Sequence, residues 1–195
     1  MSEDTVTASF KGVNDTYVHS YLANSAYHFR KRFEGIEDKS GINLEIIAAL
    51  TMVAFRVEAD CNFIGDRCLD DWDDRKTLKQ KIKALAKGLG FEADFGKEPY
   101  CTIIEDVKFF RDMMAHGKPS SDAIDEKVVT TQKSLNEQSR DYLTEWEQLV
   151  NVEFFNNAYE SSEHFWRILI EHSGVDQIDA NSYGGTTLII GQIEK

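Results

Sequence analysis

Proline is almost missing from this sequence, and that limits the fold more than any other feature does. Only Pro99 and Pro119 occur in 195 residues, so long stretches can keep the i to i−4 hydrogen bonding that a proline would break. Within those stretches apolar residues recur every three or four positions, the mark of helices with one buried side. The expected fold is all-α, a helical bundle of about five helices in one domain over 1–195, with its core between about 14 and 174. A hydrophobic content of 42% suffices for one substantial core and does not require a second.

The first helix is expected from about Asn14 to Glu34, with Tyr17, Tyr21, Leu22, Ser25, Phe29 and Phe33 inward and Asn14 or Asp15 as N-cap. The second, from about Asn43 to Leu69, carries Leu50, Val53, Val57, Cys61, Ile64 and Cys68 along one side and should be the central strut. A third, from about Lys76 to Leu89, turns Leu78, Ile82, Leu85 and Leu89 inward and Lys76, Lys79, Lys81, Lys83 and Lys87 outward. The fourth runs from Pro99 or Tyr100 to His116, antiparallel to the second. A last long helix, from about Ser139 to His172, closes the bundle and stops at Gly174. Between the last two, 120–138 is polar and broken and should be the least ordered connection. Lys127–Gln132 and the tail Thr186–Ile193 have strand character, and the two are expected to pair as a small β-hairpin-like sheet beside the bundle.

Charge and composition exclude several classes of function. Lys and Arg total 22 against 34 Asp and Glu, a net charge of −12, so no general basic surface holds nucleic acid and any RNA contact must be local. No apolar run approaches the roughly 18 residues that span a bilayer, and MSEDTVTASFKG lacks a basic segment followed by an apolar one. A soluble, cytoplasmic protein with no membrane partner is expected. Cys61, Cys68 and Cys101 are odd in number and lack C-x-x-C spacing, which suggests buried free thiols. Asp70, Asp71, Asp73 and Asp74 around Trp72 read as a solvated turn that complements the next helix's N-terminus, in preference to a Mg²⁺ or Ca²⁺ site. His19, His28, His164 and His172 form no H-E-x-x-H, E-x-x-H or i, i+4 pair, so no metal and no cofactor is expected. Two glycine patterns, Gly88-x-Gly90-x-x-Ala93 and Gly90 to Gly96-Lys97, imitate nucleotide motifs. The first closes a helix where a strand should precede it. The second has one residue too many and ends on Glu98 where Ser or Thr belongs.

The fourth helix carries the chemistry. Ile103, Val107, Phe110 and Met114 form a core stripe, and Glu105, Phe109, Asp112 and His116 gather on the opposite side. Phe109 and Met113 border that second side, which suits a further packing surface such as a symmetric dimer. His116 precedes Gly117, Lys118 and Pro119, a strong helix stop. In the last turn, free carbonyls and Asp112 favour a positively charged ring. At about 100° per residue, Arg111 and His116 diverge by about 140° and converge only around a helix end or across a two-fold axis. A proton-transferring histidine and a cation beside the phosphate are the minimum that RNA transesterification needs, since the 2′-hydroxyl nucleophile belongs to the substrate. The same residues also suit a purely structural role, an arginine paired with Glu105 or Asp112 beside a helix-capping histidine.

The R-x-x-x-x-H run from Arg111 to His116, with Arg56-Val-Glu58-Ala-Asp-Cys-Asn62, the lysine-rich third helix and Ala115-His116-Gly117-Lys118, resembles the HEPN superfamily over about Arg56 to Lys118. The flanks match only in being helical. The resemblance implies a homodimer whose paired motif cleaves RNA without metal: His116 transfers the proton and Arg111 stabilises the phosphate. Asp112 is the polar residue after the arginine, where the family most often has Asn. Glu58, Asn62 and Lys118 are implied as supporting residues, and Phe109 and Met113 as the dimer interface. The function implied is a metal-independent endoribonuclease, in some members a toxin or abortive-infection component with an antitoxin or other protein partner. The alternative within the family is a non-catalytic HEPN domain that binds a nucleotide, RNA or protein.

Overall fold

The computed structural model describes residues 7–37, 41–95, 97–117, 131 and 143–193. Among them the order is β1 (Thr7–Asn14), α1 (Val18–Gly35), α2 (Asn43–Cys68), α3 (Leu78–Leu89), α4 (Pro99–His116), α5 (Glu145–Gln148), α6 (Val152–Ser173), α7 (Gln177–Ala180) and β2 (Thr186–Ile193). The result is a helical bundle with one two-stranded sheet. No described helix is long and apolar enough to cross a membrane.

Helix α2 is the central element, packed against α1, α3, α4 and α6. Its Leu50, Val53, Val57, Cys61 and Ile64 are all buried, as the periodicity requires, and only Cys68 at its end is half-buried. Two apolar clusters lie along it. Val57, Cys61 and Ile64 meet Cys101 and Ile104 in one, while Ala49, Leu50 and Val53 meet Val107 and Phe110 in the other. The late residues of α2 thus face the early residues of α4, so the two helices run antiparallel.

Several boundaries and faces differ from the sequence reading, each for a local reason. Helix α1 starts at Val18 instead of Asn14 because 7–14 is a strand. Its buried residues are His19, Ser20, Ala26 and Phe33, while Tyr21 is 54% exposed and packs on Tyr183. The tail 186–193 does pair, antiparallel, with 7–14; the other segment expected as its partner, 127–132, lies outside the described residues apart from Thr131. In α3 a capping box between Thr77 and Gln80 fixes the start at Leu78. In α4 the buried residues are Tyr100, Cys101, Ile104, Val107 and Phe110; Ile103 is only half-buried and Met114 is 36% exposed. The last long helix is two. Thr144 caps α5, and Asn151 then turns extended and its side chain accepts the Phe154 N–H to start α6. The connection 120–138 lies outside the described residues apart from Thr131.

A polar seam runs where the two apolar clusters meet. Arg56 of α2, 2% exposed, hydrogen bonds to Ser162 and Glu163 of α6, and its Nε lies 3.4 Å from Asp60 Oδ2, an ion pair without a hydrogen bond. Burial lifts the fully buried Asp60 carboxyl to about 7, against the pull of Arg56, because Glu163 already shares that guanidinium.

Trp72, in the turn after α2, lies flat on Gly65. A Cβ there would meet the indole ring at 2.2–2.4 Å. Gly65→Ala is expected to push the ring off the helix and to destabilise by about 1–3 kcal/mol through overpacking, somewhat offset by alanine's better helix propensity. Thermal denaturation and the tryptophan emission spectrum report both effects; an unchanged spectrum would refute the contact.

Candidate functional site at the end of helix α4

Helix α4 opens on Pro99 at its first position and ends at His116, so the motif occupies its last two turns. Gly117 leaves the helix in an extended conformation, with φ −47° and ψ 111°, and not by the left-handed turn common at helix ends. Its lack of a side chain still matters, since a Cβ would stand 2.9 Å from the Met113 carbonyl oxygen. His116 itself is exposed, with no hydrogen bond to another described residue.

Arg111 is held from two sides. Its Nη1 lies 3.5 Å from Glu58 Oε2 on α2, and its Nε lies 3.1 Å from Asp112 Oδ1. Asp112 also binds Lys108 one turn earlier on α4. Glu58 offers its other oxygen to Lys81 Nζ at 2.8 Å, and Lys81 is completely buried. Three helices therefore contribute to one alternating chain of charge, Lys81, Glu58, Arg111, Asp112 and Lys108, with one positive charge in excess. Burial raises the Asp112 carboxyl, but the Lys108 hydrogen bond and the charges of Arg111, Lys108 and His116 outweigh it and hold the group below its ordinary value. The carboxylate after the arginine is thus ionised and compensated.

The structure brings together Glu58, Arg111 and Asp112, with His116 one turn beyond Asp112 on the same helix. It does not bring Asn62 into this chain; Asn62 lines a cavity with Phe63 and Trp72 instead. Glu105, weighed as a partner of Arg111, binds Lys79 at 2.6 Å. Lys118 lies outside the described residues. Phe109 is 37% exposed and Met113 half-buried, and beside them Met114 adds further apolar surface. Lys81 is the residue that sequence reasoning misplaced, since it was read among the outward lysines. Its position was readable, because three residues after Leu78 and four before Leu85 is the inward side of α3. Lys108 was missed as well, and its signal is the i, i+4 spacing to Asp112.

Among the described residues no three His, Cys, Asp or Glu side chains converge to hold a metal ion. The three cysteines are free thiols, Cys61 and Cys101 buried and Cys68 half-buried. No protein-family model, curated protein or solved structure matches the chain.

Proposed function

We propose that this chain is a HEPN-type, metal-independent endoribonuclease that works as a two-fold dimer. The observation that carries the reading is the doubly anchored Arg111 guanidinium on the helix that ends at the exposed His116. A guanidinium tied down by Glu58 and Asp112 loses little rotamer freedom when a phosphate arrives, and its planar donors suit the equatorial oxygens of a pentavalent phosphate. His116 takes the proton from the ribose 2′-hydroxyl, O2′ bonds to phosphorus, and the bond to the departing O5′ breaks. The products are a 2′,3′-cyclic phosphate and a 5′-hydroxyl, the latter protonated by the partner's histidine or by water. Two copies of α4 across an axis supply what one helix cannot, because Arg111 and His116 of one chain diverge by about 140°. Phe109 and Met113 supply apolar surface for that meeting.

A second reading, a non-catalytic HEPN domain that binds a nucleotide, RNA or protein, is favoured by one observation: both carboxylates beside Arg111 already satisfy it. Two measurements separate the readings. The chain should elute near twice 22.3 kDa, and it should cleave RNA in EDTA to 2′,3′-cyclic ends. A folded dimer that binds RNA without cutting it selects the second reading, and a strict monomer at micromolar concentration removes the composite site.

A further inference from the structure

A chain of net charge −12 can meet a polyanion only locally, and one segment concentrates the charge for it. Residues 75–90 hold Arg75, Lys76, Lys79, Lys81, Lys83 and Lys87 and no Asp or Glu, which leaves 16 cations against 34 acids, a net charge of −18, for the rest of the chain. Asp70, Asp71, Asp73 and Asp74 stand just before Arg75 and Lys76, and Lys81 turns inward to Glu58. The usable part is therefore Lys79, Lys83 and Lys87, which at i, i+4 and i+8 form one exposed row along the outer side of α3, about 12 Å long. Lys79 is paired with Glu105 at 2.6 Å, whereas Lys83 and Lys87 form no ion pair among the described residues. Amid so large an excess of carboxylates, two neighbouring lysines without one leave a positive field unanswered.

The row is continuous with the α4 motif. Glu105, which meets Lys79, stands on the same side of α4 as Lys108, Asp112 and His116, at i+3, i+7 and i+11. The chain beyond α3 lies at the start of α4, where the Tyr100 hydroxyl donates to the Glu92 carbonyl at 3.3 Å, so Lys83 and Lys87 lead away from His116. Beside the row, Lys79, Lys83, Lys97 and the half-buried Phe95 line a hollow of about 540 Å³, with Lys79 Nζ 4.6 Å from the centre of the Phe95 ring. Two acids share it, Glu92 and Asp94, and Lys97 offsets Asp94 at 3.1 Å. A line of cations beside an aromatic ring suits a single nucleic-acid strand, phosphates on the cations and a base on the ring. An acidic protein segment would use the cations and leave the ring and the line to His116 without a role. We propose that the outer face of α3 binds single-stranded RNA on one side of the scissile phosphate, with Lys83 and Lys87 on the backbone and Phe95 under a base. The choice of RNA rests on the ribonuclease reading of α4; the place of the contact rests on the charge distribution.

The test is fluorescence anisotropy of the full chain with a labelled single-stranded RNA of about 12 nucleotides, within the usual size of such sites, its 2′-hydroxyls methylated so that binding is read without cleavage. Wild type is expected to bind, with an affinity that falls as salt rises. Lys83→Gln/Lys87→Gln should bind at least about five-fold more weakly, and its slope of log affinity against log salt should be shallower by about 1.4, the share of two phosphate contacts on a single strand. Both lysines are exposed and glutamine is about as good a helix former, so the variant keeps its fold, which circular dichroism checks. A folded wild type that does not bind overturns the proposal, as does an undiminished affinity and slope in the folded double variant. So does equal displacement of the RNA by a poly-glutamate of matching charge, which would assign the row to an acidic protein segment. Unmodified RNA separates this proposal from the ribonuclease reading. If the variant loses binding and wild type never cuts, the row stands and the ribonuclease falls; if wild type cuts and the variant keeps its slope, the reverse holds.

Discussion

On the ribonuclease reading proposed above, replacing His116 by alanine is expected to lower RNA cleavage by about 10² to 10⁴-fold, the usual contribution of a positioned acid/base group, and to leave the thermal midpoint near the wild-type value because the side chain is exposed. Arg111→Lys keeps the charge, loses the fork that Glu58 and Asp112 hold, and loses much of the activity with it. Asp112→Asn tells the two possible roles of that carboxylate apart. The amide keeps the size of the carboxylate while the negative charge near the phosphate is gone, so cleavage should be equal or higher. A fall would mean that the charge of Asp112 is what holds Arg111 in place. All three are read from initial rates on one RNA in EDTA, and a His116→Ala protein as active as wild type would end the proposal.

The other large effect lies in the buried seam. Arg56→Met removes the cation that bonds Glu163 and Ser162 and pairs with Asp60, and is expected to destabilise by about 1.5–3 kcal/mol, as the loss of charged hydrogen bonds does, with Asp60 taking up a proton in place of its partner. Asp60→Asn gives the complementary result in pH. The Asp60 carboxyl titrates at about 7 when folded and near 4 when unfolded. Between those values the unfolded chain releases the proton first, so wild-type stability falls relative to Asp60→Asn as pH rises from about 4 to 7, and the difference is constant above that. Denaturant melts at several pH values measure it; a flat difference across the window would show that Asp60 is ionised throughout.

Much of this fold was legible where one helix decides its own fate. The inward face of α2 follows from spacing alone, and so does the end of α4 at His116. What depended on distant partners was not. Strand 7–14 exists because 186–193 pairs with it, and no local pattern announces a partner so far along the chain. On α4, Ile103 and Ile104 are adjacent and equally apolar, so the choice of which is buried fell to the packing of α2 and α6. Lys81, Arg56 and Asp60 were misread or passed over for another reason. Each sits on the inward side by spacing, but a charged residue there is expected outside until a partner is seen. Of the candidate residues, the place of His116 at a helix end was readable from the stop signal, whereas Glu58 was named through the resemblance alone and its ion pair with Arg111 shows only in the packing.

Glu58 divides its two oxygens between a lysine sealed beneath α3 and the arginine on α4. The motif is therefore not a property of the segment that spells it. A peptide covering residues 99–117 has the same letters and the Asp112 and Lys108 side chains, but neither Glu58 nor Lys81. Local opening of α3 would expose Lys81 to water and release Glu58 from it, so Arg111 would keep Asp112 as its one fixed anchor while α4 itself remained helical. The setting of this arginine is thereby made conditional on an assembled bundle, and a half-folded chain carries the same letters without it.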